Sequence, residues 1–129
     1  MGEFKTYKDL LIWQKGISLV KEVYACTETF PADEKFGLTS QIRRSAVSIP
    51  SNIAEGWGRE SNASNVQFLK ISRGSLTELE TQLIIAFELN FIEKDKYDKL
   101  IELITEEAKM LNSFIASVKK MELDVAAKN

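Results

Sequence analysis

The residues with the clearest potential for chemistry lie in one segment, residues 41–59. Arg43 and Arg44 stand near its start, and it ends in Gly56-Trp57-Gly58-Arg59. Backbone N–H groups in a glycine-rich turn, with an arginine beside them, can bind a phosphate. The segment lacks the lysine of the P-loop pattern, and glycines at a helix end commonly form a structural corner. We favour the corner and keep the phosphate site as the alternative.

The sequence gives little support for catalysis, because none of its 129 residues is a histidine. This excludes imidazole bases, Ser-His and Cys-His nucleophile pairs, and the usual zinc and di-iron ligand sets. Glu55, Glu78 and Glu80 are conceivable carboxylate ligands, but their spacing requires no metal. Cys26, the single cysteine, falls among apolar residues and reads as a small core residue. We therefore predict no catalytic, cofactor-binding or metal-binding residue, and a protein that is not an enzyme.

Charge is distributed unevenly along the chain. The net charge is −2, but residues 36–73 carry five basic and two acidic side chains, whereas residues 74–129 carry seven basic and eleven acidic ones. A local basic patch is therefore compatible with the sequence, and a basic surface overall is not. The candidate nucleic-acid contacts are the five basic residues of that middle part, Arg43, Arg44, Arg59, Lys70 and Arg73.

The arginine-bearing segment is predicted to be a helix with a proline inside it. Ile42, Ala46, Ile49 and Ile53 recur at helical spacing. Pro50 has no N–H and its ring crowds the carbonyl of Ala46, at a cost of about 3 kcal/mol in a regular helix. We expect the helix either to kink at residues 46–50 or to break and restart there.

Polar residues beside the apolar seams of the second and third helices suggest a structural role. We predict that part of this set forms a buried hydrogen-bonded network that fixes the register of helices and of neighbouring subunits. Its candidate members are Arg44, Asn52, Glu55, Ser75, Glu78 and Gln82.

Apolar residues spaced three and four apart predict four helices, at about residues 8–28, 39–55, 64–91 and 96–121, with a frayed tail at 122–129. Thr39 is the predicted N-cap of the second helix, and Ser64 opens a predicted capping box in the third. Long amphipathic helices with short links make a single all-α domain, residues 1–129, built as an antiparallel up-down four-helix bundle with a proline-kinked second helix. Between Leu83 and Leu89 only Glu88 is polar, so this stretch needs burial on several sides and favours a homo-oligomer.

The run QIRRSAVSIPSNIAEGWGR, residues 41–59, resembles the signature of the bacterial 23S rRNA intervening-sequence (S23-like) proteins. The likeness extends over residues 4–120, through Tyr7-Lys8-Asp9-Leu10, Phe36-Gly37-Leu38 and Gly74-Ser75-Leu76. The resemblance implies a four-helix protomer in a homopentamer, encoded in some bacteria within insertions in 23S rRNA genes, with no established catalytic activity. It also implies a distant similarity to the basic, nucleic-acid-binding accessory proteins of diversity-generating retroelements.

Two functions follow as alternatives, both cytoplasmic, since neither a transmembrane run nor a signal peptide is recognisable and no membrane partner is expected. The first is a non-enzymatic oligomeric scaffold that binds RNA or DNA through the five basic residues. The second is a protein–protein assembly module with no nucleic-acid role. A third, weaker alternative is a small-molecule binder in the lumen of the bundle or of the ring. Clustering of the basic residues on one exposed face would favour the first, and their engagement inside the bundle would favour the second.

Overall fold

The computed structural model describes the backbone of residues 4–128 and the side chains of residues 4–124. These residues form four α-helices and no strand, preceded by a short 3-10 turn at Tyr7–Asp9 and with another at Ala32–Glu34. The helices are α1, Leu11–Thr27; α2, Leu38–Trp57; α3, Asn62–Glu88; and α4, Lys94–Lys128. Each helix packs on the next along the chain and α1 also packs on α4, whereas within the described residues the Cα atoms of the diagonal pairs stay more than 8 Å apart. The predicted four-helix bundle is confirmed.

The core follows the predicted apolar spacing in all four helices. Val23, Ile42, Leu79 and Leu111, one from each helix, have no exposed surface. Burying a side chain of this size contributes about 1.5–3 kcal/mol, so the layers along the bundle axis supply most of the stability. The phenyl rings of Phe30 and Phe91 close one end, with their centroids 5.6 Å apart.

The helices α2 and α3 begin differently from the predictions made for them. Gly37 precedes α2, and the Leu38 N–H donates to Oε1 of Glu34 at 2.9 Å, whereas Thr39 lies buried inside the helix. Ser61 is the N-cap of α3, where its Oγ accepts from the Ser64 N–H at 3.1 Å. In both places the orphan N–H groups of the first turn find a side-chain acceptor a few residues earlier than predicted.

Pro50 lies within an uninterrupted α2, so the helix does not break and restart there. The ring is buried, and the Ser72 hydroxyl of α3 donates to the Ile49 carbonyl oxygen at 2.8 Å. Ser72 itself is fully buried, so this bond ties α3 to the backbone of α2 beside the proline. This bond strengthens the contact between α2 and α3 beside the proline, whereas the carbonyl that Pro50 leaves without its helical donor is that of Ala46.

The turn between α3 and α4 depends on Asn90, whose φ of 64° is left-handed. The Asn90 N–H donates to the Phe87 carbonyl and the Phe91 N–H to the Ala86 carbonyl, each at 2.9 Å. This is the Schellman arrangement, for which asparagine is the best residue after glycine. α4 then continues beyond Met121 to Lys128, and the predicted fraying of residues 122–129 stays a prediction.

Candidate functional site

The polar side chains between α2 and α3 converge on Ser45, which is almost fully buried. Its Oγ lies 3.0 Å from the Gln41 carbonyl oxygen, 2.8 Å from Glu78 Oε1 and 2.9 Å from Gln82 Oε1. One hydroxyl donates one proton, so only one of these acceptors takes it. With the Gln82 side-chain amide rotated so that Nε2 rather than Oε1 faces Ser45, the amide donates to the hydroxyl oxygen. The hydroxyl proton then goes to one of the other two acceptors.

One turn further along α2, a second polar group joins the two helices. The hydroxyl oxygens of Ser48 and Ser75 are 2.8 Å apart, and Asn52 Nδ2 donates to Ser48 Oγ at 2.9 Å and to the Ser48 carbonyl at 2.8 Å. We call this line of contacts the polar seam, defined by Ser45, Ser48, Asn52, Ser75, Glu78 and Gln82. The seam joins α2 to α3 through side-chain hydrogen bonds at two successive turns.

Four of the six residues predicted for a polar network lie in the polar seam: Asn52, Ser75, Glu78 and Gln82. Arg44 and Glu55 lie outside it. Arg44 is exposed and makes no hydrogen bond or ion pair within the described part of the chain, while Glu55 is exposed and pairs with Arg59. The seam therefore contains two serines that the prediction omitted and lacks two charged residues that it included.

Arg43 is held against α1 rather than projecting from the surface. Its guanidinium carbon lies 4.4 Å from the centroid of the Tyr24 ring, and its Nε donates to Thr27 Oγ1 at 2.8 Å. Thr27 is itself buried, and its hydroxyl donates to the Val23 carbonyl oxygen at 2.9 Å. Arg43 thus joins the end of α1 to α2, which leaves it poorly placed to contact a phosphate.

The other basic residues do not gather on one face. Arg59 pairs with Glu55 and stacks 4.4 Å from the centroid of the Phe68 ring. Arg73 donates to Asn112 Oδ1 of α4 at 3.0 Å, and Lys70 is half-buried. Arg43 occupies the α1–α2 side of the bundle and Arg73 the α3–α4 side, which are opposite sides of a four-helix square.

Gly56 and Gly58 at the end of α2 serve different purposes. A Cβ on Gly56 would lie 3.0 Å from Phe68 Cβ and 3.1 Å from the Asn65 carbonyl oxygen, so this glycine allows α2 and α3 to approach closely. Gly58 caps the helix, with a φ of −79° that any residue adopts. The corner thus has a packing role, and no described N–H nest for an anion depends on it.

Several apolar surfaces remain exposed on the described part of the protomer, among them one on α3 and one between α1 and α2. Ile71 and Ile85 of α3 and Leu89 at its C-cap are 44–53% exposed and lie on one side of the helix, with Ser75, Glu78 and Gln82 between Ile71 and the other two. We call these three apolar residues the α3 stripe. Between α1 and α2 lies a groove of about 280 Å³, here the α1–α2 groove. Its lining is mostly apolar: Tyr7, Trp13, Ile17, Val20, Val47, Pro50, Ser51 and Ala54. The two surfaces belong to different sides of the bundle.

Glu107 was not among the predicted site residues, yet it is 1% exposed. It stands three residues after Ile104 and four before Leu111, both buried, so it occupies a core position of α4. Among the described residues neither of its carboxylate oxygens has a hydrogen-bond partner. Burial raises the pKa of Glu107 to about 8, and the nearby Lys15 ammonium only partly opposes that rise. The signal was its place in the apolar spacing, which Ala108 fits equally well, four residues after Ile104 and three before Leu111.

The profile of the 23S rRNA-intervening sequence protein family matches residues 8–113, most of the chain. The chain belongs to this family. A protein of unknown function from the S23 ribosomal protein family of Bacteroides thetaiotaomicron has a similar crystal structure, with a TM-score of 0.74 and 26% sequence identity. The similarity covers 82% of this chain and 96% of that one. No curated protein matches the chain.

The family assignment does not identify a biochemical role. The arrangement of side chains and surfaces in the structure is therefore the basis for proposing one. Within the described residues no three His, Cys, Asp or Glu side chains gather as a metal site would require. None of the described helices has the combined length and apolar character for crossing a bilayer. Three features of this family member remain to be explained. They are the exposed α3 stripe and α1–α2 groove, the dispersed basic residues, and the buried carboxyl of Glu107.

Proposed function

We propose that this family member is a non-enzymatic, cytoplasmic assembly module whose subunits pack through the α3 stripe and the α1–α2 groove. The observation that carries the proposal is the exposure of Ile71, Ile85 and Leu89 at 50%, 44% and 53% on one side of α3. Ile85 and Leu89, one turn apart, form an exposed apolar patch of the kind that favours a protein interface. Ser75, Glu78 and Gln82 of the polar seam lie on the same side of α3, between Ile71 and Ile85, so they would supply specificity within that contact.

A closed ring requires two different surfaces on each subunit, one for each neighbour. The α3 stripe and the α1–α2 groove meet this requirement because they lie on different sides of the bundle. Packing the stripe of one subunit into the groove of the next is therefore a head-to-tail contact. The number of five subunits comes from the family resemblance, while the head-to-tail character comes from the placement of the two surfaces.

Ile85→Glu combined with Leu89→Glu is expected to convert the assembly into monomers, because the new carboxylates would be buried without partners in the contact. Val47→Glu, in the α1–α2 groove, should also give monomers. Val47 is 40% exposed on the protomer, so a charged side chain at this position can reach solvent when the subunit is alone. The measurement is molar mass by light scattering, against the 14.6 kDa of one chain. Thr81→Glu, at an exposed polar position of α3, is the matched control and should keep the wild-type mass.

Mixing the two disrupted variants tests the head-to-tail contact directly. The stripe variant keeps an intact groove and the groove variant an intact stripe, so together they should form a dimer of twice the chain mass and nothing larger. Monomeric wild-type protein would contradict assembly itself. Wild-type oligomers whose mass neither variant changes would show that subunits meet through other surfaces.

Nucleic-acid binding is the alternative function, and Arg44 is the observation that favours it. It is the exposed arginine of the segment that makes no hydrogen bond or ion pair within the described residues. If phosphate contacts matter, binding of a structured rRNA fragment should weaken linearly with the logarithm of salt concentration, and Arg44→Ala with Lys70→Ala should reduce that slope by about 2. Fluorescence anisotropy measures both, with Lys120→Ala, at an exposed position of α4, as the control. Absence of binding at low salt would leave the assembly role alone.

A further inference from the structure

Three residues whose types are disfavoured at the positions they occupy lie close together at one level of the bundle. Gly16 lies in the middle of α1, Pro50 in the interior of α2 and Glu107 in the buried face of α4. A Cβ on Gly16 would lie 3.2 Å from Glu107 Oε2 and 3.3 Å from Pro50 Cβ. The absence of a side chain at Gly16 is thus what makes room for the carboxyl beside the proline. Exceptions to local preference that coincide in space point to a functional element.

The Glu107 carboxyl has no stable partner in this niche. It is 1% exposed, and neither oxygen has a hydrogen bond to any described residue. An ionised carboxylate without a partner is strongly disfavoured in such a place, so the group stays protonated near neutral pH. With its pKa raised to about 8 by burial, a modest rise in pH is enough to ionise it.

The charged neighbours of the niche come from two helices. Lys15, directly before Gly16 in α1, forms an ion pair with Glu106 of α4, and both side chains are partly exposed. Among the described residues these are the groups whose charges act on Glu107: the lysine lowers its pKa and Glu106 raises it. α2 presents the uncharged Pro50 ring to the niche, and no ionisable side chain of α3 shifts the carboxyl.

We propose that Glu107, Glu106 and Lys15 form a proton-controlled switch at the contact between α1 and α4. In the protonated state Glu107 is neutral and buried, and Lys15 pairs with Glu106 at the surface. When Glu107 releases its proton to solvent, its carboxylate competes with Glu106 for the Lys15 ammonium. A buried charge gains more from that partner than an exposed one does, so the lysine leaves Glu106. The surface pair opens, and the charged pair that forms at the niche loosens the packing of α1 around Gly16 against the Pro50 ring.

Amide hydrogen exchange of α1 between pH 6 and pH 9.5, corrected for the intrinsic rates, tests the switch. In the wild-type protein, protection of the amides around Gly16 should fall at least tenfold between pH 7 and pH 9. In Glu107→Gln it should stay constant over that range. Equal protection at both pH values in the wild type, or the same fall in the variant, would overturn the proposal.

A second measurement serves if Glu107→Gln does not fold. The side-chain carboxyl carbon of Glu107 in the wild-type protein should titrate near pH 8 in an NMR experiment. Lys15→Met should move that midpoint to higher pH by removing the ammonium, and Glu106→Gln should move it to lower pH by releasing the lysine and removing a negative charge. A wild-type midpoint below pH 6, or no response to either substitution, would contradict a coupled switch.

Discussion

Alanine in place of Gly56 is expected to lower the free energy of unfolding by about 2 kcal/mol, although alanine is ordinarily the better residue in a helix. The new Cβ would lie 2.6 Å from Asn65 Oδ1, 3.0 Å from Phe68 Cβ and 3.1 Å from the Asn65 carbonyl oxygen. The Asn65 amide can rotate away, but a Cβ and a carbonyl move only if α3 moves. Overpacking of this kind costs about 1–3 kcal/mol, of which alanine recovers at most about 1 kcal/mol through helix propensity.

Gly74 offers the matched control for this prediction, because it is an exposed glycine in the middle of α3 with nothing within 4 Å of a Cβ placed on it. Gly74→Ala should therefore raise the free energy of unfolding by about 1 kcal/mol. Urea unfolding followed by circular dichroism, at one protein concentration, measures both variants. If Gly56→Ala is as stable as Gly74→Ala, the close approach of α2 and α3 does not depend on the glycine.

The buried carboxyl of Glu107 is expected to make the fold less stable as pH rises, by up to about 5 kcal/mol. In the unfolded chain the group ionises at its ordinary pKa of 4.5, whereas in the folded protein its pKa is about 8. Its full contribution is therefore present below pH 4.5, where both states are protonated. Between pH 4.5 and pH 8 the unfolded chain loses the proton while the folded protein keeps it, so stability falls. Above pH 8 the loss is complete.

Comparison with Glu107→Gln isolates this effect from the other carboxylates of the chain. Urea midpoints at several pH values between 5 and 9 should show the two proteins similar at pH 5 and the variant clearly more stable at pH 8. Glu102→Gln, at an exposed position of the same helix, should follow the wild type throughout. Parallel curves for the wild type and Glu107→Gln would mean that the buried carboxyl has an ordinary pKa.

The architecture could be predicted from the sequence because apolar residues at spacings of three and four require a helix with one buried side. The burial of Glu107 could not be predicted, since Ala108 fits the same spacing and charged residues are rarely buried. Gly16 leaves room for the carboxyl beside the ring of Pro50. These residues are distant in sequence and meet only in the folded bundle. Their juxtaposition belongs to the tertiary structure.

The polar seam was also predicted only in part from the sequence. The prediction placed Arg44 in the seam, whereas the structure places its neighbour Ser45 there. One residue along a helix is a rotation of 100°, so this difference moves a side chain from the contact line to the solvent. Sequence patterns identify the right stretch of a helix more readily than the right side of it when small and long polar residues alternate.

The connection between α2 and α3 spans only residues 58–61, and these two helices share the most extensive packing in the bundle. Closing so short a loop loses little chain entropy, so the α2–α3 hairpin is the pair that forms with the least search. The contact of α1 with α4 joins the two ends of the chain and has the longest loop to close. We infer that folding begins around Ser45 and the polar seam, and that the niche of Gly16 and Glu107 is the last part of the core to lose its water.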